Sequence, residues 1–266
     1  MAEAFGVVGL GRMAQALLLP WLEAGLVERS AVRAVVASAA SADRLSEQLQ
    51  LAVATEAGAA WAAPVQLLAV KPQQLEAVAA AAPAPPAGPV PLLISVLAGV
   101  PLARLQRLFP GHHCVRAVPN TPCLVRAGLT ALAWGEGISP ERREWLGCLF
   151  AQVGEVLELP ETQLDAFLAL TSSGPAFVAL VAEAMADGAV AAGLPRQLAG
   201  HLAHRTLAGT AALLHQQELH PAQLKDMVSS PAGTTIAGLR QLERAGLRSA
   251  LIEAVLAAAE RSRSLA

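Results

Sequence analysis

The chain has 266 residues, 54% of them hydrophobic and only 3% aromatic, with no tyrosine and a formal net charge of −2. That length predicts two domains rather than one core, and the near-neutral charge without a basic stripe excludes a nucleic-acid footprint. With large side chains scarce, core volume has to come from Leu, Val and Ala, which favours helices over an all-β fold.

In chain order, Phe5–Val8 reads as a strand that runs straight into glycines, Met13–Ala24 has helical spacing, and Val32–Ala37 is a second strand. A short amphipathic helix (42–49), a short strand at Val53 and an apolar strand over Val65–Val70, closed by Lys71-Pro72, follow. Residues 77–103 carry no charge, but prolines at 83, 85, 86, 89, 91 and 101 exclude a membrane span. The stretch reads as a helix end, a proline-rich loop and a buried strand, Leu92–Val96. Val115–Val118 and Gly128–Trp134 are further strands, and Ser139-Pro140-Glu141 opens a helix with an N-cap serine and proline in the first turn. Apolar strands alternating with helices predict a parallel sheet covered on both faces.

The character changes near Pro160, where long helical patterns replace strands: 165–191 broken at Ser172-Ser173-Gly174-Pro175, then 197–217, a helix from His220-Pro221, 234–245 and 247–262. The segment 177–192 is apolar nearly all round, which predicts burial against a second copy of the chain. The expected fold is therefore α/β: a doubly wound dinucleotide-binding domain of the Rossmann type over 1–160, then an all-helical domain over 161–266 that binds substrate and dimerises.

Cys114, Cys123 and Cys148 make an odd, unpaired set, read as buried thiols in a reducing cytoplasm. The six histidines show no metal spacing; His201 and His204 lack a third ligand. No metal, nucleic acid or membrane partner is expected.

Gly6-Val7-Val8-Gly9-Leu10-Gly11-Arg12-Met13-Ala14 lies between a strand and a helix. Gly9 suits the tight turn, Gly11 a close approach to pyrophosphate, and Ala14 close helix–strand packing, with the first-turn amides facing the phosphates. At the end of the second strand, Val36 to Ser41 contains no carboxylate to hold a ribose 2′-hydroxyl. Ser38 and Ser41 can donate to a 2′-phosphate and Arg44 can reach it, so NADPH is favoured over NADH; a solvated helix charge is the other reading of Arg44.

With these motifs, the chain resembles the pyrroline-5-carboxylate reductase family. Ala69-Val70-Lys71-Pro72, Arg116 to Pro122, Ser173 to Phe177 and, above all, the run His220 to Leu239 containing Ser229-Ser230-Pro231-Ala232-Gly233-Thr234-Thr235 carry the resemblance in the family's order. It implies that Gly9 to Ala14, Ser38, Ala69 to Pro72 and Ser95 line the cofactor site, with Asn120 near the nicotinamide. It also implies that Ser230, Gly233, Thr234 and Thr235 bind a cyclic imino acid, with Thr235 at the ring nitrogen. Proline formation, a homodimer or larger homo-oligomer and a site completed by a partner subunit are further implications. Physically, the Ser229 to Thr235 turn offers amides and hydroxyls to an anion without a lysine or arginine.

Four positions depart from the family's pattern: Ala232 and Ser172 where glycine is usual, Val118 for methionine and Glu56 for asparagine. A β-carbon at 232 disfavours positive φ, so either the turn differs or the glycine was not needed. A β-hydroxyacid dehydrogenase is the nearest other enzyme, but 174–192 lacks the lysine its chemistry wants. A non-catalytic NADP-binding paralogue and a reductase of a six-membered cyclic imine are the remaining alternatives.

Overall fold

The computed structural model describes residues 3–85 and 87–264, so Pro86 of the proline-rich loop lies outside the described residues. The chain divides into two compact units, residues 1–172 with 259–266, and Ser173–Ala258.

The first unit is built on eight strands: β1 (Phe5–Val8), β2 (Val32–Val35), β3 (Ala52–Ala54), β4 (Val65–Leu68), β5 (Leu92–Ser95), β6 (His113–Val118), β7 (Gly128–Trp134) and β8 (Gly154–Glu158). Their order across the sheet is β3-β2-β1-β4-β5-β6-β7-β8. The first six run parallel, as expected, but β7 pairs antiparallel with β6 and β8 then runs parallel to β7. The sheet is thus mixed, and β8 is a strand that the sequence pattern does not announce.

Helices α1 (Arg12–Glu23), α2 (Ala39–Leu49), α3 (Gly58–Trp61), α4 (Leu75–Ala81), α5 (Leu102–Leu108), α6 (Pro140–Ala151) and α7 (Leu164–Thr171) complete this unit. The two-residue period of the strands sorts them onto two cores. Phe5, Val7, Leu67, Ile94 and Val115 face one cluster with Trp21 of α1, Leu45 of α2 and Phe150 of α6. Val8, Leu68, Leu93 and Cys114 face the other, with Trp61 of α3, Leu105 of α5 and Leu164 of α7. Trp21 anchors the first core, meeting Phe5 and Phe150 edge-on at centroid separations of 5.9 and 5.4 Å. Ser139 caps α6 as expected, its Oγ accepting from the Arg142 amide at 3.3 Å. Because α7 packs on the sheet, the division between compact units falls twelve residues beyond the boundary at 160.

The second unit is helical: α8 (Gly174–Ala191), α9 (Arg196–Gln216), α10 (Pro221–Met227), α11 (Thr234–Arg244) and the greater part of α12 (Leu247–Arg263). Its internal core is small, a cluster of Ala186, Ala199 and Ala203. Within one chain Ala182 and Ala186 are the only buried residues of α8, so most of its apolar surface is left uncovered, in line with the expected burial against a second copy.

Among the described residues one helical stretch, Glu161–Ala191, is apolar enough by length and composition for a membrane span, with an 18-residue window of mean hydropathy 1.6, yet α7 ends at Thr171 and α8 begins at Gly174. The expectation of three buried thiols also needs correction. Cys114 and Cys123 are buried, whereas Cys148 is exposed on the outer face of α6. Burial pushes the Cys114 thiol up to about 12 and raises Cys123 as well.

Candidate active site

The glycine-rich turn is shaped by contacts that only glycine permits. Gly9 has φ +90, and a β-carbon there would lie 2.9 Å from the Ala69 carbonyl oxygen. Its amide donates to Val35 O at 3.0 Å, while the Ala69 amide donates to Val8 O at 2.8 Å. The turn is thereby tied between β2 and β4. Gly11 is the N-cap of α1 and has no capping side chain, leaving first-turn amides free for an anion. A β-carbon on Gly11 would meet nothing within 4 Å, so the glycine keeps space open rather than avoiding a clash. That open approach to an uncapped helix end fits a dinucleotide pyrophosphate.

A cavity of about 490 Å³ opens beside this turn, bordered by the ends of β1, β2 and β4. Of the expected cofactor residues, Gly9, Leu10, Gly11, Ala69, Val70 and Lys71 line it. Arg12 borders instead a separate hollow of about 400 Å³ beside α1. Met13 and Ala14 pack onto the core from the first turn of α1, Ala14 with no exposed surface. Pro72 starts a 3-10 turn next to the lining residue Lys71.

The far end of the cavity is bordered by Ser41, Arg44 and Thr55, with no carboxylate among its lining residues. Ser38 is the N-cap of α2; its Oγ accepts from the Ser41 amide at 3.3 Å and donates to Ser41 Oγ at 3.0 Å. It stands one residue from the lining Ala37 without lining the cavity itself. Thr55, Gln74, Trp61 and Val78 are lining residues that sequence reasoning missed. The only available signal was Thr55 following β3 directly, where a Rossmann-type chain turns toward its cofactor.

Two expected residues sit elsewhere. Ser95, with no exposed surface, closes β5 and accepts from the Leu97 amide at 3.4 Å. Asn120 is buried and uses both ends of its amide internally: Nδ2 donates to Thr171 O at 2.9 Å, and Oδ1 accepts from the Leu129 amide at 2.8 Å. Each fixes backbone at the carboxyl end of the sheet, and Asn120 has both ends of its amide engaged in doing so.

The second unit holds the expected substrate turn. The Gly233 amide donates to Ser230 O at 3.0 Å, and Gly233 is the N-cap of α11, again without a capping side chain. The first amides of α11, at Thr234 and Thr235, are therefore free for an anion. A β-carbon on Gly233 would overlap Ser230 Oγ as it stands, so the glycine leaves that hydroxyl its present position. Ala232 adopts φ +58, so the turn keeps its left-handed geometry despite the β-carbon. Ser172, by contrast, has φ −90 and ψ −34, a conformation in which glycine is not required. Among the described residues no group of three His, Cys, Asp or Glu side chains could hold a metal ion.

Comparison with known proteins adds an independent line. Residues 161–265 match the family profile "Pyrroline-5-carboxylate reductase dimerisation", and residues 4–99 match "NADP oxidoreductase coenzyme F420-dependent". The chain is 45% identical to pyrroline-5-carboxylate reductase of Synechocystis sp., covering 100% of this chain and 99% of that one. It is 38% identical to the Methanosarcina acetivorans enzyme of the same name, over 99% of this chain and 98% of that one. Among solved structures it resembles 1-pyrroline-5-carboxylate reductase of Streptococcus pyogenes, with TM-score 0.89 and 28% identity over 99% of both chains. It also resembles Plasmodium falciparum pyrroline carboxylate reductase with NADP bound, with TM-score 0.85 and 25% identity over 99% of this chain and 98% of that one.

Proposed function

Since the chain belongs to the pyrroline-5-carboxylate reductase family and reduces 1-pyrroline-5-carboxylate to L-proline with a nicotinamide cofactor, we propose that NADPH is its preferred reductant and that the substrate is held by the turn Ser230 to Thr235. The observation that carries the preference is the end of the cavity bordered by Ser41 and Arg44 and by no carboxylate. A 2′-phosphate there gains a charge-assisted partner in Arg44 and hydroxyl donors in Ser41 and Ser38.

When bound, the cofactor supplies a hydride to the imine carbon. The uncapped first turn of α1, residues Arg12 to Ala14, receives the pyrophosphate, with Gly9, Leu10 and Gly11 giving the backbone room to approach. Ala69 to Pro72 form the opposite lip. Ser95 and Asn120 hold the backbone at the ends of β5 and β6, where the nicotinamide half belongs. In the helical domain, the free amides of α11 and the Ser230 hydroxyl take the substrate carboxylate. Gly233 leaves space beside Ser230, and the Thr234 and Thr235 hydroxyls complete the polar wall. Thr235 Oγ accepts a hydrogen bond from the iminium N–H and so orients the ring. Hydride addition turns an iminium into a neutral amine, so positioning and charge complementarity suffice without a strong general base.

In this reading residues 1–160 carry the cofactor, while 161–266 carry the substrate turn and the dimer contacts. A cytoplasmic setting belongs to the same proposal, in keeping with three free thiols.

The test follows NADPH oxidation by absorbance with 1-pyrroline-5-carboxylate as acceptor. Thr235→Ala should lower kcat about tenfold to a hundredfold, as loss of one orienting hydrogen bond does, and leave NADPH affinity unchanged. Arg44→Ala should raise the KM for NADPH about tenfold or more, the worth of one charge-assisted contact, and leave the KM for NADH alone. Cofactor binding without turnover in the unmodified protein would overturn the substrate reading in favour of a non-catalytic paralogue.

A further inference from the structure

The strand β4 is apolar apart from one residue. Gln66 has no exposed surface and lies in the middle of the sheet, between Gly6 of β1 and Leu93 of β5 in register. Burying an amide costs free energy unless its hydrogen bonds are satisfied. Gln66 spends its donor on one feature: Nε2 donates to Trp61 O at 2.8 Å and to Ala63 O at 3.0 Å. Its Oε1 has no hydrogen-bond partner among the described residues, so the side chain is retained at a cost. No motif of the family resemblance calls for it.

The carbonyls it holds are those at the end of α3, a helix of four residues. One turn of helix is not stable by itself, and its last carbonyls have no intrahelical partner. Two features of the sheet keep it in place. Gly6 lets it lie directly against β1, because a β-carbon on Gly6 would overlap the Ala60 carbonyl. Gln66, the register neighbour of Gly6, then reaches up to bind the helix end. The result is a fixed Trp61, whose ring stacks on Phe109 at 5.4 Å with planes 23° apart. Trp61 and Ala57, at the two ends of α3, line the cavity that Gly9 and Arg44 also line.

We infer that Gln66 is a positioning residue for the cofactor: by holding the end of α3 against the sheet, it fixes the Trp61 floor of the cavity and sets cofactor affinity without touching the cofactor. This rests on the reading of that cavity as the cofactor site. Gln66→Met keeps the length of the side chain and removes both donors. The expected result is a rise of about tenfold in Kd and KM for NADPH, within the range of couplings between linked sites. The KM for NADH should rise by the same factor, because the floor lies under both cofactors and they differ only at the 2′-phosphate end, where Arg44 and Ser41 stand. At saturating NADPH, kcat and the KM for the imine should stay unchanged. A merely structural role would lower the folded fraction, and hence the apparent kcat, while leaving each KM alone.

Unchanged NADPH affinity in Gln66→Met overturns the inference. Should that variant not fold, hydrogen exchange in the unmodified protein decides the matter: NADPH must slow exchange at the Trp61 and Ala62 amides, which donate to Ala57 O and Gly58 O at 3.0 Å, and unaltered rates overturn it. Gly11→Val separates this inference from the reading beneath it, since valine there fills open space without a clash. NADPH binding that survives Gly11→Val overturns both. Binding that is lost in Gly11→Val and intact in Gln66→Met overturns the role of Gln66 alone.

Discussion

Ala232 carries a β-carbon at φ +58, in the turn that presents the uncapped amides of α11, the proposed substrate contacts. The left-handed conformation costs an L-residue roughly 1–2 kcal/mol that glycine does not incur, partly offset by the greater freedom glycine has when unfolded. Ala232→Gly should therefore stabilise the protein by about 0.5–1 kcal/mol, seen as a rise of roughly 1–4 °C in Tm for a chain of this size. The KM for the imine should stay the same, because the geometry of Gly233 and Thr234 is already the one glycine would allow. Ala232→Val should do the reverse: a branched side chain at positive φ distorts the turn, lowering Tm and raising the KM. Ser172 is the contrasting case. It also replaces a familial glycine, but in right-handed backbone, where a β-carbon costs nothing. A sequence displays both replacements alike; only φ separates them.

Among the elements, β6 shows what a strand pattern conceals. Arg116 is 3% exposed in the middle of β6, and its guanidinium meets Glu161 Oε1 at 3.3 Å and Asp165 Oδ1 at 3.7 Å. Glu161 also accepts from the Leu102 amide at 2.6 Å, where α5 begins, and Ser262 near the end of α12 donates to Asp165 at 2.7 Å. One buried cation thus joins β6, the starts of α5 and α7, and the last turn of the chain's final helix. Removing one partner of a buried ion pair costs about 3–5 kcal/mol. The two carboxylates keep a fifth to a third of their side-chain surface exposed, so Arg116→Met should cost less, about 2–3 kcal/mol after that solvent screening. Urea unfolding with an unchanged m-value would measure it, and a cost near zero would mean the network is not a clamp.

The first domain was legible from β1 to β5 because its strands are apolar and its helices amphipathic, so period and glycine placement agree. The edge strand β8 was not, because Glu155 and Glu158 give it the polarity of a loop while shielding an open sheet edge. The antiparallel turn of β7 left no trace, since alternation does not encode direction. Within the proposed cofactor site, the glycine turn could be read from its motif, and the lip at Ala69 to Lys71 only from the family resemblance. Trp61 and Gln66 could not, because their importance arises from α3 lying over Gly6, a contact between segments about fifty residues apart.

For the whole molecule, the helical unit cannot stand alone. Its internal cluster consists of Ala186, Ala199 and Ala203, while Val178, Leu180, Met185, Leu202 and Leu256 remain exposed in the single chain. Exposed apolar side chains on this scale belong to an interface, and the matched dimerisation domain supplies the partner, a second copy. Leu180, 66% exposed on α8, is a suitable probe because no core contact within the chain depends on it. A charge buried at a subunit contact leaves an unpaired ion in low dielectric, so Leu180→Asp should shift the protein to monomer by light scattering. The Tm of the unmodified protein should rise with its concentration, and that of the variant should not, because mass action stabilises only a chain that associates. Imine reduction should fall with the dimer, whereas NADPH binding, proposed for the first domain, should persist at about its original affinity. A Leu180→Asp protein that remains dimeric would place the contact on another face of α8 or on α9, where Leu198 and Leu202 are the next positions to charge.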